Sequence, residues 1–146
     1  MTEPSASVRA VSGVLALDAD ERILLVRRAD DGTWGLPGGG VEVGETWLEA
    51  AVRECREETG WDVAVTDMFG AYSDPVSQTF TYADGRRVQF FGVVFLATVL
   101  QQTGSPDTEV LEVGFFPTDS LPAPLFVPDR PVLLDFASRR HLPVIA

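Results

Sequence analysis

The sequence predicts an α/β sandwich, a mixed β-sheet held between helices, on three observations. Strand-like runs occupy both halves of the chain, one strongly marked helix interrupts them after residue 45, and a second helical stretch closes the chain. With 146 residues and 45% hydrophobic side chains there is material for one domain with a real core. Met1–Ser7 is short and polar and is read as a flexible leading segment, with residues 8–146 as the single domain.

Val8–Leu17 and Arg22–Arg28 are β-rich and flank Asp18–Glu21, a turn between antiparallel strands. Asp30–Gly40 then holds five glycines and a proline, which excludes regular helix and marks a loop of demanding geometry. Thr46–Thr59 is the central helix. Thr46 and Glu49 form a capping-box pattern, Trp47, Leu48, Ala51, Val52 and Cys55 make an apolar stripe, and Gly60 supplies the stop. Further strands are expected at Val63–Tyr72, Gln78–Tyr82, Arg87–Leu100 and Val110–Phe116, with a hairpin turn at Ala83–Arg86. Pro117–Pro128 reads as a proline-rich connection with one helical turn. Asp129–Arg140 reads as a closing helix that buries Val132, Leu133 and Phe136 and tolerates Pro131 in its first turn.

The formal charge is −11, and all 11 cations are arginine. So acidic a chain is a poor clamp for a nucleic-acid polymer or an anionic membrane, and a phosphate ligand would need a cation to neutralise its site. Cys55 is the only cysteine, so no intrachain disulfide forms. No basic segment followed by an apolar run opens the chain, and no apolar stretch approaches the roughly 20 residues of a membrane helix. A cytoplasmic protein with no membrane partner is the expectation.

Glu54, Glu57 and Glu58 stand at i, i+3 and i+4 on the central helix, so three carboxylates share one face and repel each other. Arg53 can pair with Glu57 but does not offset all three. Two readings stand at this point. Most glutamate-rich helix faces are simply solvated. A cluster of hard oxygen donors is also what Mg²⁺ or Mn²⁺ requires, and Glu45 would extend it. The adjoining glycine-rich loop, where backbone approaches a ligand closely, favours the second.

Gly39–Trp61, GGVEVGETWLEAAVRECREETGW, resembles the Nudix box, G-x5-E-x7-R-E-U-x-E-E-x-G-U with U bulky and apolar. Gly39, Glu45, Arg53, Glu54, Glu57, Glu58 and Gly60 fall in register; Trp61 fills one U position, and Cys55 is a small substitute at the other. Trp34–Gly38 resembles the family's usual lead-in. The resemblance implies a Nudix-type α/β/α sandwich and a Mg²⁺-dependent hydrolase, with Mn²⁺ as a substitute, cleaving the pyrophosphate bond of a nucleoside diphosphate linked to another group. It implies Glu54, Glu57, Glu58 and the Gly38 carbonyl as metal ligands, Glu45 as an outer or water-mediated ligand, and Arg53 as the residue that orients the glutamates. It also implies Glu57, Glu58 and Arg53 as the catalytic set and Arg28 as a contact to a substrate phosphate, while Arg27 and Arg28 read equally well as ordinary surface arginines. The family's general base varies; Glu109 and Glu112 are the distant candidates here, beside the box glutamates.

Specificity is marked less clearly. Pro75 lies 14 residues after Trp61, a spacing similar to ADP-ribose pyrophosphatases, and is also an ordinary turn residue. Trp34, Tyr72, Phe80 and Tyr82 are candidates for stacking on a base, with one or two expected to face the pocket and Trp34 the leading choice. His141 is assigned to plain core or surface packing, and Cys55 to the core. A (d)NTP pyrophosphohydrolase, a Nudix-fold binding or sensing module without catalysis, and an acidic domain that binds no metal remain as alternatives. Many relatives form homodimers, to which the N-terminal strand or Phe115–Phe116 would contribute here.

Overall fold

The computed structural model describes residues 6–138 and 142–146. Met1–Ser5 of the leading segment, the expected helix end at Arg139–Arg140, and His141 lie outside the described residues. The organising strand is β1 (Ala6–Leu17), which lies parallel to β7 (Arg87–Gln102) from Ala6↔Arg87 to Leu17↔Thr98 without a register break. β1 thus begins inside the segment expected to be flexible. Ala6 and Ser7 take ladder positions opposite Arg87 and Val88, because backbone pairing needs no apolar side chain.

On its other edge β1 meets two partners in turn. β4 (Gly38–Gly40) is antiparallel to it through Val11↔Gly40, Ser12↔Gly39 and Gly13↔Gly38, and β2 (Ile23–Arg28) joins at Leu17↔Ile23. β2 then runs beside β8 (Val110–Phe116) and carries the short β3 (Trp34–Gly35). Beyond β7 come β5 (Trp61–Tyr72), antiparallel, and β9 (Val144–Ile145), parallel to β5; β6 (Thr79–Thr81) forms the expected hairpin with β7. The result is one mixed sheet. The glycine segment expected to be all loop therefore holds two short strands, and β9 carries no apolar pattern long enough to announce it.

Alternation along the strands sorts the core into two layers. Val14, Ala16 and Leu24 pack with Ala51 and Cys55 of α1 (Trp47–Thr59). Leu15, Ile23 and Leu25 pack on the opposite face with Val132 and Leu133 of α2 (Arg130–Ala137). This is an α/β/α sandwich. Thr46 caps α1 in a complete capping box with Glu49, and Gly60 ends it in the left-handed region at φ 77°. One part of the expected stripe is corrected: Trp47 and Leu48 remain 39% and 46% exposed. Ala50 and Ala51 are small enough for α1 to lie close on the sheet, which leaves the bulkier side chains of its first turn outside that contact.

Candidate active site

The site is built where the three glycines of β4 run beneath α1. A Cβ on Gly39 would fall 2.6 Å from the Glu54 carboxyl, and one on Gly38 would fall 2.7 Å from the Ser12 carbonyl. Only glycine permits the helix, β4 and β1 to approach this closely. Glu58 reaches the same strand, accepting a hydrogen bond from the Gly38 N–H at 2.8 Å.

The carboxylates of this helix differ by environment. Arg53 is a hub: its Nε and Nη2 donate to Glu45 at 2.6 and 2.9 Å, its Nη1 to Glu54 and Glu57 at 3.1 and 3.2 Å, and its Nη2 also to the Gly40 carbonyl. These bonds hold the Glu45 carboxyl down at about 2. Burial outweighs Arg53 at Glu54, whose pKa is raised, with Glu57 and Glu109 adding to the rise. Glu58 is pushed up to about 8, chiefly by burial, against which the Gly38 N–H is the main restraint. Glu58 has no ion-pair partner among the described residues. Glu57 is half exposed.

Beside these carboxylates opens a cleft of about 660 Å³. Its floor is sheet, with Val11, Gly13, Phe90 and Gly92 among the lining; Phe126, Pro128 and Asp129 form one wall, and Tyr82 and Gln78 another. Arg28 lines it too. Its guanidinium lies 3.9 Å from the Phe126 ring centre and is held by Asp30 through two bonds of 3.2 and 2.7 Å. Asp129 accepts from the Leu36 N–H at 2.9 Å, and burial pushes its carboxyl up to about 6.

Matches to known proteins agree with this geometry. The family model described as the NUDIX domain matches residues 7–136. The chain belongs to the Nudix family. An ADP-ribose pyrophosphatase of Methanocaldococcus jannaschii is 35% identical over 116 residues, 77% of this chain and 63% of that protein. An 8-oxo-dGDP phosphatase of Homo sapiens is 31% identical across 94% of this chain and 43% of its own length. Among solved structures, an ADP-ribose pyrophosphatase of Streptococcus suis superposes with a TM-score of 0.70 at 28% identity, covering 94% of this chain and 96% of that one. The matched regions span 36% to 63% of the length of the first few curated relatives.

Within this Nudix chain the sequence-derived residues fall into three groups. Gly38, Glu45, Arg53, Glu54, Glu57 and Glu58 are drawn together around β4 and α1, and Arg28 lines the cleft. Trp34, expected at the substrate, is instead buried in the core, edge-on to Phe116 at 5.0 Å, because β3 pairs with β2 and turns the indole inward. Of the other aromatics, Tyr72 and Tyr82 line the cleft, while Phe80 packs against Phe126. Pro75 sits in an exposed turn outside the lining. Glu109 lines the cleft, whereas Glu112 is engaged on the surface by Arg27 at 3.1 Å. Cys55 is buried, with its thiol pushed up to about 11, and acts as core. Phe126, Asp129 and Gln78 were not singled out as site residues; no motif marks them.

The donor chemistry fits a divalent cation. Burial raises the proton affinity of both Glu54 and Glu58; Glu54 shares the single Arg53 with Glu45 and Glu57, and Glu58 has no ion pair among the described residues. No three acidic side chains among the described residues already form a closed cage. Arg53 shares Glu54 and Glu57, so a cation would compete with it for their oxygens.

Proposed function

We propose that this chain is a Mg²⁺-dependent pyrophosphohydrolase, with Mn²⁺ as a substitute, acting on a nucleoside diphosphate linked to a second group. The supporting observation is the pair of half-buried carboxylates, Glu54 and Glu58, set against glycine backbone beside a cleft large enough for a nucleotide. Family membership adds weight, as do relatives named for ADP-ribose and 8-oxo-dGDP. The small-molecule cleft suits a soluble substrate rather than a polymer, and no described helix is long and apolar enough to cross a membrane.

Glu54, Glu57 and Glu58 would hold the metal, with the Gly38 carbonyl beside them and Glu45 further out. A bound divalent cation would neutralise the diphosphate and lower the pKa of a water. Arg53 fixes the rotamers of Glu45, Glu54 and Glu57. Arg28, already stacked and aligned, presents N–H donors to the substrate from the cleft wall. Glu109 lines the cleft with its carboxylate near enough to Glu54 to raise it, which supports it over Glu112 as the carboxylate of the late segment that would accept a proton.

The test is a panel of ADP-ribose, UDP-sugars, 8-oxo-dGTP and ordinary nucleoside triphosphates with Mg²⁺ or Mn²⁺, following released phosphate, pyrophosphate and nucleoside monophosphate. Metal-dependent turnover of at least one compound is expected. Tight nucleotide binding with no turnover would sink the hydrolase reading in favour of a binding module. Absence of any rise in melting temperature at millimolar Mg²⁺ or Mn²⁺ would count against the metal site itself.

A further inference from the structure

Each glycine of β4 meets a charged side chain, Glu58 through the Gly38 N–H and Glu54 and Arg9 through the space left by the missing Cβ of Gly39 and Gly40. At Gly40 an added Cβ would fall 2.6 Å from the Arg9 Nε and 2.8 Å from its Cζ. Arg9 belongs to β1 and points to the cleft side, as do Val11 and Gly13 two and four residues on. Its pairing partner on β7 is Phe90, another lining residue.

Of the two arginines that line the cleft, Arg9 and Arg28, Arg9 is the one without a charged partner among the described residues. Arg28 is engaged by Asp30 and Phe126, and Arg53 by three glutamates. Arg9 has no ion pair or side-chain hydrogen bond among the described residues, although the chain carries 22 acidic residues. Strand rise places Gly40 roughly 7 Å from Gly38. That is the scale of a diphosphate, so one ligand laid along β4 reaches from the carboxylates to the Arg9 guanidinium.

Resting on the hydrolase reading above, we propose that Arg9 is a substrate-binding residue. It would donate bidentate N–H bonds to the phosphate oxygens that lie farther from Glu58, with the guanidinium resting in the space left open at Gly40. Its contribution falls on binding rather than on the chemical step, because it stands away from the carboxylates.

The test compares wild type with Arg9→Ala, Arg9→Gln and Arg9→Lys. ADP-ribose and 8-oxo-dGTP serve as substrates with Mg²⁺, and α,β-methylene-ADP as the equilibrium probe. Arg9→Ala and Arg9→Gln should raise KM and the Kd of the probe about tenfold or more, with kcat within about threefold. Arg9→Lys should recover part of the loss, and melting temperature should not move, since the side chain is exposed and unpaired. Kinetics and probe binding within twofold of wild type in both neutral variants would overturn the assignment, as would a loss that tracks a lowered melting temperature. A wild type that neither turns over nor binds any of these compounds would overturn the function as well; an active wild type with indifferent variants removes Arg9 alone.

Discussion

The two ends of α1 carry the same residue type in opposite electrostatic states. At the N-terminal end Glu49 closes the capping box and Glu45 takes two bonds from Arg53, so its charge is compensated and its pKa lies near 2. About two and three turns beyond the cap, Glu54 and Glu58 are set against β4, and desolvation lifts Glu58 to about 8. A carboxylate becomes receptive to an external cation when burial removes water and the chain withholds a countercharge. Glutamate spacing alone does not achieve this; the glycine strand does.

This contrast is most directly broken by parallel substitutions at its two ends. Glu58→Gln should lower kcat on the order of 10³-fold, as expected for a lost metal ligand, without lowering thermal stability, because the amide oxygen can still accept from the Gly38 N–H and no group that resists charging remains. Glu45→Gln should cost only about 10- to 100-fold, the range for outer-shell partners. Equal losses in steady-state kinetics would mean that the two ends do not differ in role.

Asp129 sharpens the same point on the other side of the cleft. Its folded pKa of about 6 exceeds the ordinary 3.8, so the folded state binds the extra proton between those values. Its contribution is therefore fully present below about pH 4 and is lost as pH rises through 6, by on the order of 3 kcal/mol at most. Asp129→Asn keeps an oxygen for the Leu36 N–H and should be more stable than wild type at pH 8, with the dependence between pH 4 and 6 diminished. Urea unfolding across that range checks it; parallel curves for the two proteins would contradict it. The smallest effect is expected at the compensated end, where Thr46→Ala should cost about 1 kcal/mol in the same assay.

The features that could be read directly from the residues were the local ones. The capping box, the Gly60 stop and the register of the glutamates depend on contacts within a turn or two, and they stand as the sequence spells them. The cleft's far wall was not readable, because it joins distant positions: Asp129 bonds Leu36 across 93 residues and Phe126 stacks on Arg28 across the sheet. Trp34 misled for the same reason, since its neighbour Phe116 arrives from β8 by way of β2. Arg9 left one trace, a charged residue in register with the apolar Val11, Leu15 and Leu17 on the cleft side of β1.

The carbonyl of Gly60 accepts bonds from both Thr103 and Gly104, and a Cβ at Gly60 would collide with the Gly104 backbone. The box helix and the exposed segment leading to Glu109 are thus stitched at one point. That stitch anchors one end of the late loop, and the Glu109 carbonyl, which accepts from the Ala29 N–H, anchors the other. A residue inserted between Gln102 and Gly104 would break the paired donors to Gly60, and one inserted between the anchors would displace Thr108 and Glu109 from the cleft.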